Sequence, residues 1–118
     1  MHYAFQDRDN LYIVIDIMAG GDLRYHFAKH RKFSEEQSSN DSQIDLVIEF
    51  FIACIILCLE YLHRKSILHR DIKPENLVFD DDGYLHVTDL GIARVWNDKN
   101  AKDTSGTPGY MAPEVMCR

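Results

Sequence analysis

Cysteine is scarce in this chain, with three in 118 residues at positions 54, 58 and 117. Three cysteines make no disulfide framework, and a reducing, cytoplasmic compartment is the expectation. Positive charge is also short: 13 Lys and Arg stand against 19 Asp and Glu, a net charge of -6. That balance argues against a nucleic-acid-binding surface and suits a basic peptide partner. Long hydrophobic runs are missing as well. The longest unbroken one covers residues 50–59, ten residues, too short to cross a bilayer, so no membrane span is expected and a core helix is. The first residues, Met1-His2-Tyr3-Ala4-Phe5-Gln6-Asp7-Arg8, lack the basic-then-apolar pattern of a signal peptide. No internal repeat and no low-complexity tract interrupts the chain.

What is present is the composition of a soluble globular protein, 46% apolar and 27% charged, in a length that makes one small domain with a modest core. Leu11-Tyr12-Ile13-Val14-Ile15 is a β-rich apolar run and reads as a buried strand. It ends at the breaker Ala19-Gly20-Gly21. Asp22 sits where a helix N-cap belongs, and residues 23–32 read as a short helix. Residues 38–47 look like a polar surface insertion, partly absorbed into a longer following helix. Residues 46–63 are apolar almost all round, which predicts a buried helix, and His63-Arg64-Lys65 suit its C-terminus. Ile67-Leu68 and Leu77-Val78-Phe79 read as short strands on either side of a loop. Asp80-Asp81-Asp82-Gly83 reads as a turn, with residues 84–88 as the returning strand. The expected class is α/β of the α+β kind, mainly helical with short β-hairpins.

Three segments carry chemistry. The first is His69-Arg70-Asp71-Ile72-Lys73-Pro74-Glu75-Asn76. Asp89-Leu90-Gly91 follows, thirteen residues after Asn76, and then Gly106-Thr107-Pro108-Gly109-Tyr110-Met111-Ala112-Pro113-Glu114. In this order and spacing they resemble the catalytic loop, the metal-binding loop and the end of the activation segment of a eukaryotic protein kinase. The resemblance implies the bilobal kinase fold, with residues 1–118 a partial domain holding the hinge and upper C-lobe, and ATP-dependent phosphoryl transfer to Ser or Thr of proteins. That reaction needs a held metal, an oriented hydroxyl and positive charge on the moving group. A hairpin over 77–88 doubles the chain back and sets Asn76 beside Asp89. A carboxylate and an amide oxygen are the hard ligands Mg²⁺ wants. By resemblance Asp89 and Asn76 hold the metal, Asp71 is the catalytic base, and Lys73 reaches the γ-phosphate. Thr107 hydrogen-bonds that Asp and Lys. Lys73 and the Gly106-Thr107-Pro108-Gly109-Tyr110 run point to the Ser/Thr type.

The resemblance extends upstream. Asp16 and Met18 match the hinge positions whose carbonyl and N–H hold the adenine, with Ile15 as gatekeeper. Asp22 matches a ribose contact, a role that coexists with capping a helix. Asp22 and Glu75 match positions whose carboxylates bind arginines of a basophilic protein or peptide substrate. Asp103 stands where many relatives carry an activating phosphothreonine, within reach of Arg70; Thr104 is the alternative switch, one residue on. Gly20-Gly21-Asp22-Leu23-Arg24-Tyr25-His26 and the run from Asp103 to Tyr110 are similar to the YANK kinases of the AGC group. Leu90 departs from the usual Phe but is apolar and can fill the same space. The glycine-rich phosphate loop, the strand-three Lys and the helix C Glu have no counterpart in this sequence, so the chain reads as the middle of a kinase domain, inactive by itself. A non-catalytic module that binds kinase partners is the competing reading. A small-molecule phosphotransferase is disfavoured because that class lacks the Gly106-to-Glu114 pattern. Cys54 with Cys58, and His26 with His30, have metal-ligand spacing, but core packing and a solvated face fit them better.

Overall fold

The computed structural model describes residues 1–29, 41–100 and 103–117. The chain opens with a hairpin of β1 (Tyr3–Gln6) and β2 (Leu11–Val14), antiparallel with Tyr3 opposite Val14 and Gln6 opposite Leu11. Its turn is built by Asp7, whose Oδ1 accepts the N–H groups of Asp9 and Asn10 at 2.8 and 2.7 Å, an Asx arrangement that replaces absent backbone partners. Strand β1 has no counterpart in the sequence reading. Strand β2 stops one residue short of Ile15 and is not buried: Leu11 is 70% exposed and Ile13 57%. The reason is that β1 and β2 form a two-stranded sheet by themselves, with no second layer among the described residues.

Beyond the hinge the backbone is fastened to the molecule's centre. The Gly20 N–H donates to the Phe79 carbonyl at 3.1 Å, and the Phe79 N–H donates to the Gly21 carbonyl at 2.9 Å. A Cβ on Gly20 would lie 2.5 Å from Phe79 Cβ, so only glycine permits this approach. Helix α1 (Leu23–Lys29) follows, and Asp22 caps it, its Oδ1 accepting the Tyr25 N–H at 2.7 Å. The expected end of this helix at residues 30–32 lies outside the described residues.

Helix α2 runs Asp41–Arg64, longer than the expected 46–63. Residues 41–47, read as insertion, are its first two turns, while 38–40 lie outside the described residues. Its inner face packs on two antiparallel hairpin strands, β4 (Leu77–Phe79) and β5 (Leu85–Val87). Leu77, Phe79 and Leu85 are the core, flanked by Leu23, Phe51, Cys54, Ile55 and Val87. Phe51 meets Phe79 edge-on with ring centroids 5.1 Å apart. The expectation of a helix buried all round fails here. Ile56 is 58% exposed, Leu57 65% and Tyr61 63%, because the hairpin covers only one side. Residues Asp45–Arg64 have the length and mean hydropathy (2.1) of a membrane span, though core helices of soluble domains share those properties. The remaining elements are β3 (Ile67–Leu68), paired antiparallel with β6 (Arg94–Val95), a 3₁₀ turn Pro74–Asn76, and a short helix α3, Pro113–Met116. Strand β6 was not foreseen from sequence.

Candidate active site

The loop between β3 and the 3₁₀ turn carries the chemistry, and it is held from beneath by His69, which is 2% exposed. The Asp71 N–H donates to His69 Nδ1 at 3.2 Å, so the ring proton is on Nε2, which donates to the Thr88 carbonyl at 3.0 Å. His69 was quoted in the sequence motif without a role; here it ties the loop to the base of the β4–β5 hairpin. Arg70 and Asp89 both take left-handed backbone, with φ of 72° and 63°. Such conformations cost on the order of 1–3 kcal/mol each and persist where the surroundings hold them.

Asp71 is 9% exposed and is the hub. Lys73 Nζ lies 2.8 Å from its Oδ2. The Thr107 hydroxyl and N–H donate to its Oδ1 at 2.6 and 3.0 Å. Lys73 Nζ also donates to Thr107 Oγ1 at 2.8 Å. The Lys73 hydrogen bond, then those from Thr107, hold the Asp71 carboxyl down at a pKa of about 2. The same contact to Asp71 raises Lys73 above its ordinary value. Gly106 makes the meeting possible: a Cβ there would stand 2.9 Å from the Arg70 carbonyl, and its φ is 135°.

Asn76 is buried and spends its Nδ2 on the Asp71 carbonyl oxygen at 2.9 Å and on Asp71 Oδ2 at 3.2 Å. What it has left to offer is its amide oxygen, a hard ligand. Thr88 donates both its N–H and its hydroxyl to the Asn76 carbonyl, at 2.9 and 3.2 Å. That clamp closes the hairpin and brings Asp89, the next residue, alongside Asn76. The Asp89 Oδ1 accepts the Gly91 N–H at 3.0 Å. One carboxylate and one amide oxygen fit Mg²⁺, which keeps few protein ligands and shares substrate phosphates. Among the described residues no group of three His, Cys, Asp or Glu could hold a metal ion. Cys54 and Cys58 are free thiols, and burial pushes the Cys58 thiol up; His30 lies outside the described residues.

The activation segment is held by an anion where the sequence pointed. Arg70 Nη1 lies 3.4 Å from Asp103 Oδ2, and its Nε donates to the Ile92 carbonyl at 2.7 Å. Arg94, which sequence reasoning passed over, reaches the same Asp103 oxygen at 3.2 Å. Only the strand pairing of β6 with β3 reveals it. Thr104 is exposed beside them. The hinge is less enclosed: the Asp16 carboxylate pairs with His2 at 2.6 Å, Ile15 is 66% exposed, and the Met18 carbonyl accepts the Gly21 N–H at 3.4 Å. Glu75 Oε1 lies 3.1 Å from Arg24 Nη1, a partner not foreseen.

The protein kinase domain family matches residues 1–118, the whole chain. The chain belongs to the protein kinase family. It is 41% identical over 115 residues to human serine/threonine-protein kinase 32B and 40% identical over 116 residues to human beta-adrenergic receptor kinase 1. It is 39% identical over 118 residues to G protein-coupled receptor kinase 2 of Caenorhabditis elegans. These alignments cover 97%, 98% and 100% of this chain but only 25%, 15% and 15% of those relatives. The kinase fold is therefore present as a part, in the AGC-type Ser/Thr branch. Within that fold the loop of residues 69–76, the Asp89 loop and the Thr107 segment meet as sequence-distant pieces around Asp71 and Asn76.

Proposed function

We propose that this chain is the hinge and upper C-lobe of an ATP- and Mg²⁺-dependent protein Ser/Thr kinase of the cytoplasm. The observation that carries the reading is the Asp71–Lys73–Thr107 cluster beside Asn76 and Asp89. Asp89 and Asn76 would hold Mg²⁺, which would neutralise charge on the phosphates of ATP. Asp71, ionised at neutral pH, accepts a hydrogen bond from the substrate Ser or Thr hydroxyl and orients it for attack. Its low basicity means that it takes the proton late, as transfer proceeds. Lys73 gives its ammonium to the transferring group. The Asp16 carbonyl and Met18 N–H hold the adenine edge, and Asp22, at the start of α1, holds the ribose. Asp22 and Glu75 favour a protein substrate with Arg or Lys two to three residues before the acceptor, since Arg–carboxylate contacts are charge-assisted and directional.

By itself the chain is inactive in this reading, because half of the phosphate cradle of a kinase lies in sequence that it does not contain. The uncovered apolar side of α2 favours a second reading, a non-catalytic segment that binds a partner. The test is phosphate transfer from ATP to a basic Ser/Thr peptide, by the chain alone and by a longer protein that includes it. In the longer protein Asp89→Asn abolishes turnover. Asp71→Asn lowers kcat about 100-fold or more with the KM for ATP little changed. Equal turnover in the wild type and Asp89→Asn removes the catalytic reading and leaves the binding one.

A further inference from the structure

Glu75 sits two residues past Lys73, and only one of its carboxylate oxygens has a partner. Oε1 meets Arg24 of α1 at 3.1 Å, while Oε2 is buried with no hydrogen-bond partner. A carboxylate oxygen shut from water and left unpaired is expensive, so the charge of Glu75 is under-satisfied. The geometry also sets how a cation could approach. Oε2 faces inward and is closed to a ligand; Oε1 is taken. The Glu75 side chain is 37% exposed and that of Arg24 62%, so the pair lies at the surface, where an ion pair is weak and its partner exchangeable. Glu75 also acts on Lys73, whose ammonium it stabilises. Whatever neutralises Glu75 is therefore felt beside the catalytic loop.

We propose that Arg24 is a specificity-determining residue, a built-in competitor that occupies Glu75 and must be displaced by an arginine of the substrate. The inference rests on the proposed binding of a basic substrate at Glu75 and adds the residue that sets its strength. A guanidinium on a flexible exposed stem matches the group it is replaced by, so exchange conserves the charge pairing and costs only the surface contact. The substrate arginine gains correspondingly less than at an open carboxylate. Arg24 thereby narrows the difference between basic and neutral peptides, by up to about fivefold for a surface ion pair.

Calorimetric binding to this chain tests it without reading turnover, so a chain that transfers no phosphate still answers. The probes are a serine peptide with arginine at the second and third residues before the serine, and the same peptide with alanine at both. Arg24→Ala is expected to raise the preference for the arginine peptide up to about fivefold, and Arg24→Lys to leave it near wild type. Glu75→Gln lowers the preference to the share that Asp22 carries, and adding Arg24→Ala to Glu75→Gln changes nothing further. An unchanged preference in Arg24→Ala, a preference undiminished in Glu75→Gln, or no binding of the arginine peptide by wild type and Arg24→Ala alike overturns the proposal. If the peptides bind as expected while the longer protein shows no phosphate transfer, the catalytic reading fails and the Arg24 assignment stands.

Discussion

Thr107 closes on Asp71 across 36 residues of chain, its hydroxyl 2.6 Å and its N–H 3.0 Å from the same carboxylate oxygen. The segment that carries Thr107 thus does more than run past the loop of residues 69–76. It supplies two of the hydrogen bonds that keep Asp71 ionised and aimed, and it presents its hydroxyl oxygen to Lys73. Order in that segment and geometry at the Asp71 carboxylate are one property.

Removing the hydroxyl isolates this coupling. Thr107→Ala leaves the backbone N–H on Asp71 but frees Lys73 from one acceptor. A hydrogen bond to a charged group is worth about 1.5–3 kcal/mol, so kcat of an active, longer protein should fall roughly 10- to 100-fold. The KM for ATP should hold, and Thr107→Ser should restore most of the rate. Steady-state kinetics of the three proteins check this.

The depressed pKa of Asp71 fixes the sign of a pH effect on stability. Its folded value of about 2 lies below the ordinary 3.8, so the native state binds its proton less readily than the unfolded chain. The contribution is whole above about pH 3.8 and is lost as pH falls toward 2. Lys73, raised above 10.5, contributes fully below that value and loses its share as pH climbs past the raised one. Denaturant titrations between pH 5 and 2 should show a shallower acid decline for Asp71→Asn than for wild type. Some decline remains in the variant, since Asp7, Asp16 and Asp80 are also held low, the first chiefly by the Asp9 N–H and the others by His2 and His86.

Gly20 offers a test of the hinge that touches no catalytic group. The Cβ of Gly20→Ala would need space 2.5 Å from Phe79 Cβ and 2.8 Å from the Phe79 carbonyl oxygen. The two backbone hydrogen bonds between the hinge and β4 must stretch or break. Loss of about 1–3 kcal/mol is expected, typical of a tight backbone site. In the longer protein nucleotide affinity should drop with it. Thermal denaturation reads the first effect and nucleotide titration the second.

Much of the site was legible because its residues are clustered in sequence. Asp71, Lys73 and Asn76 share one loop, and the turn signal at Asp80-Asp81-Asp82-Gly83 announced the hairpin that returns the chain to Asp89. The Asp22 cap was legible for the same reason, a local hydrogen bond three residues long. Burial was not legible. The apolar runs of β2 and α2 record what each element can bury, and the structure covers one side of α2 and leaves β2 open. Arg94 and Arg24 were missed because their partners, Asp103 and Glu75, are fixed by strand pairing and helix docking, which no short-range pattern encodes.

The contact of Arg70 and Arg94 with Asp103 yields the last prediction. Two guanidinium groups share Asp103 Oδ2 at 3.4 and 3.2 Å, so the catalytic loop, β6 and the activation segment meet at one carboxylate. Arg70 is the better sheltered, its side chain 14% exposed, which strengthens a charged hydrogen bond relative to the surface case. A carboxylate carries one charge, where a phosphate carries about -1.5 to -2, so an Asp103 that ordered the segment would hold it less fully than a phosphate. In an active, longer protein treated with phosphatase, Asp103→Ala should cut kcat about tenfold, the loss of roughly one such contact. Thr104→Ala should leave the rate near wild type. Arg94→Ala should cost less than Asp103→Ala, because it leaves the Arg70 contact with Asp103 in place, and adding it to Asp103→Ala should change little, because its partner is then already gone. Full activity in Asp103→Ala together with loss in Thr104→Ala would make phosphorylation of Thr104 the switch, with Asp103 only a surface acid.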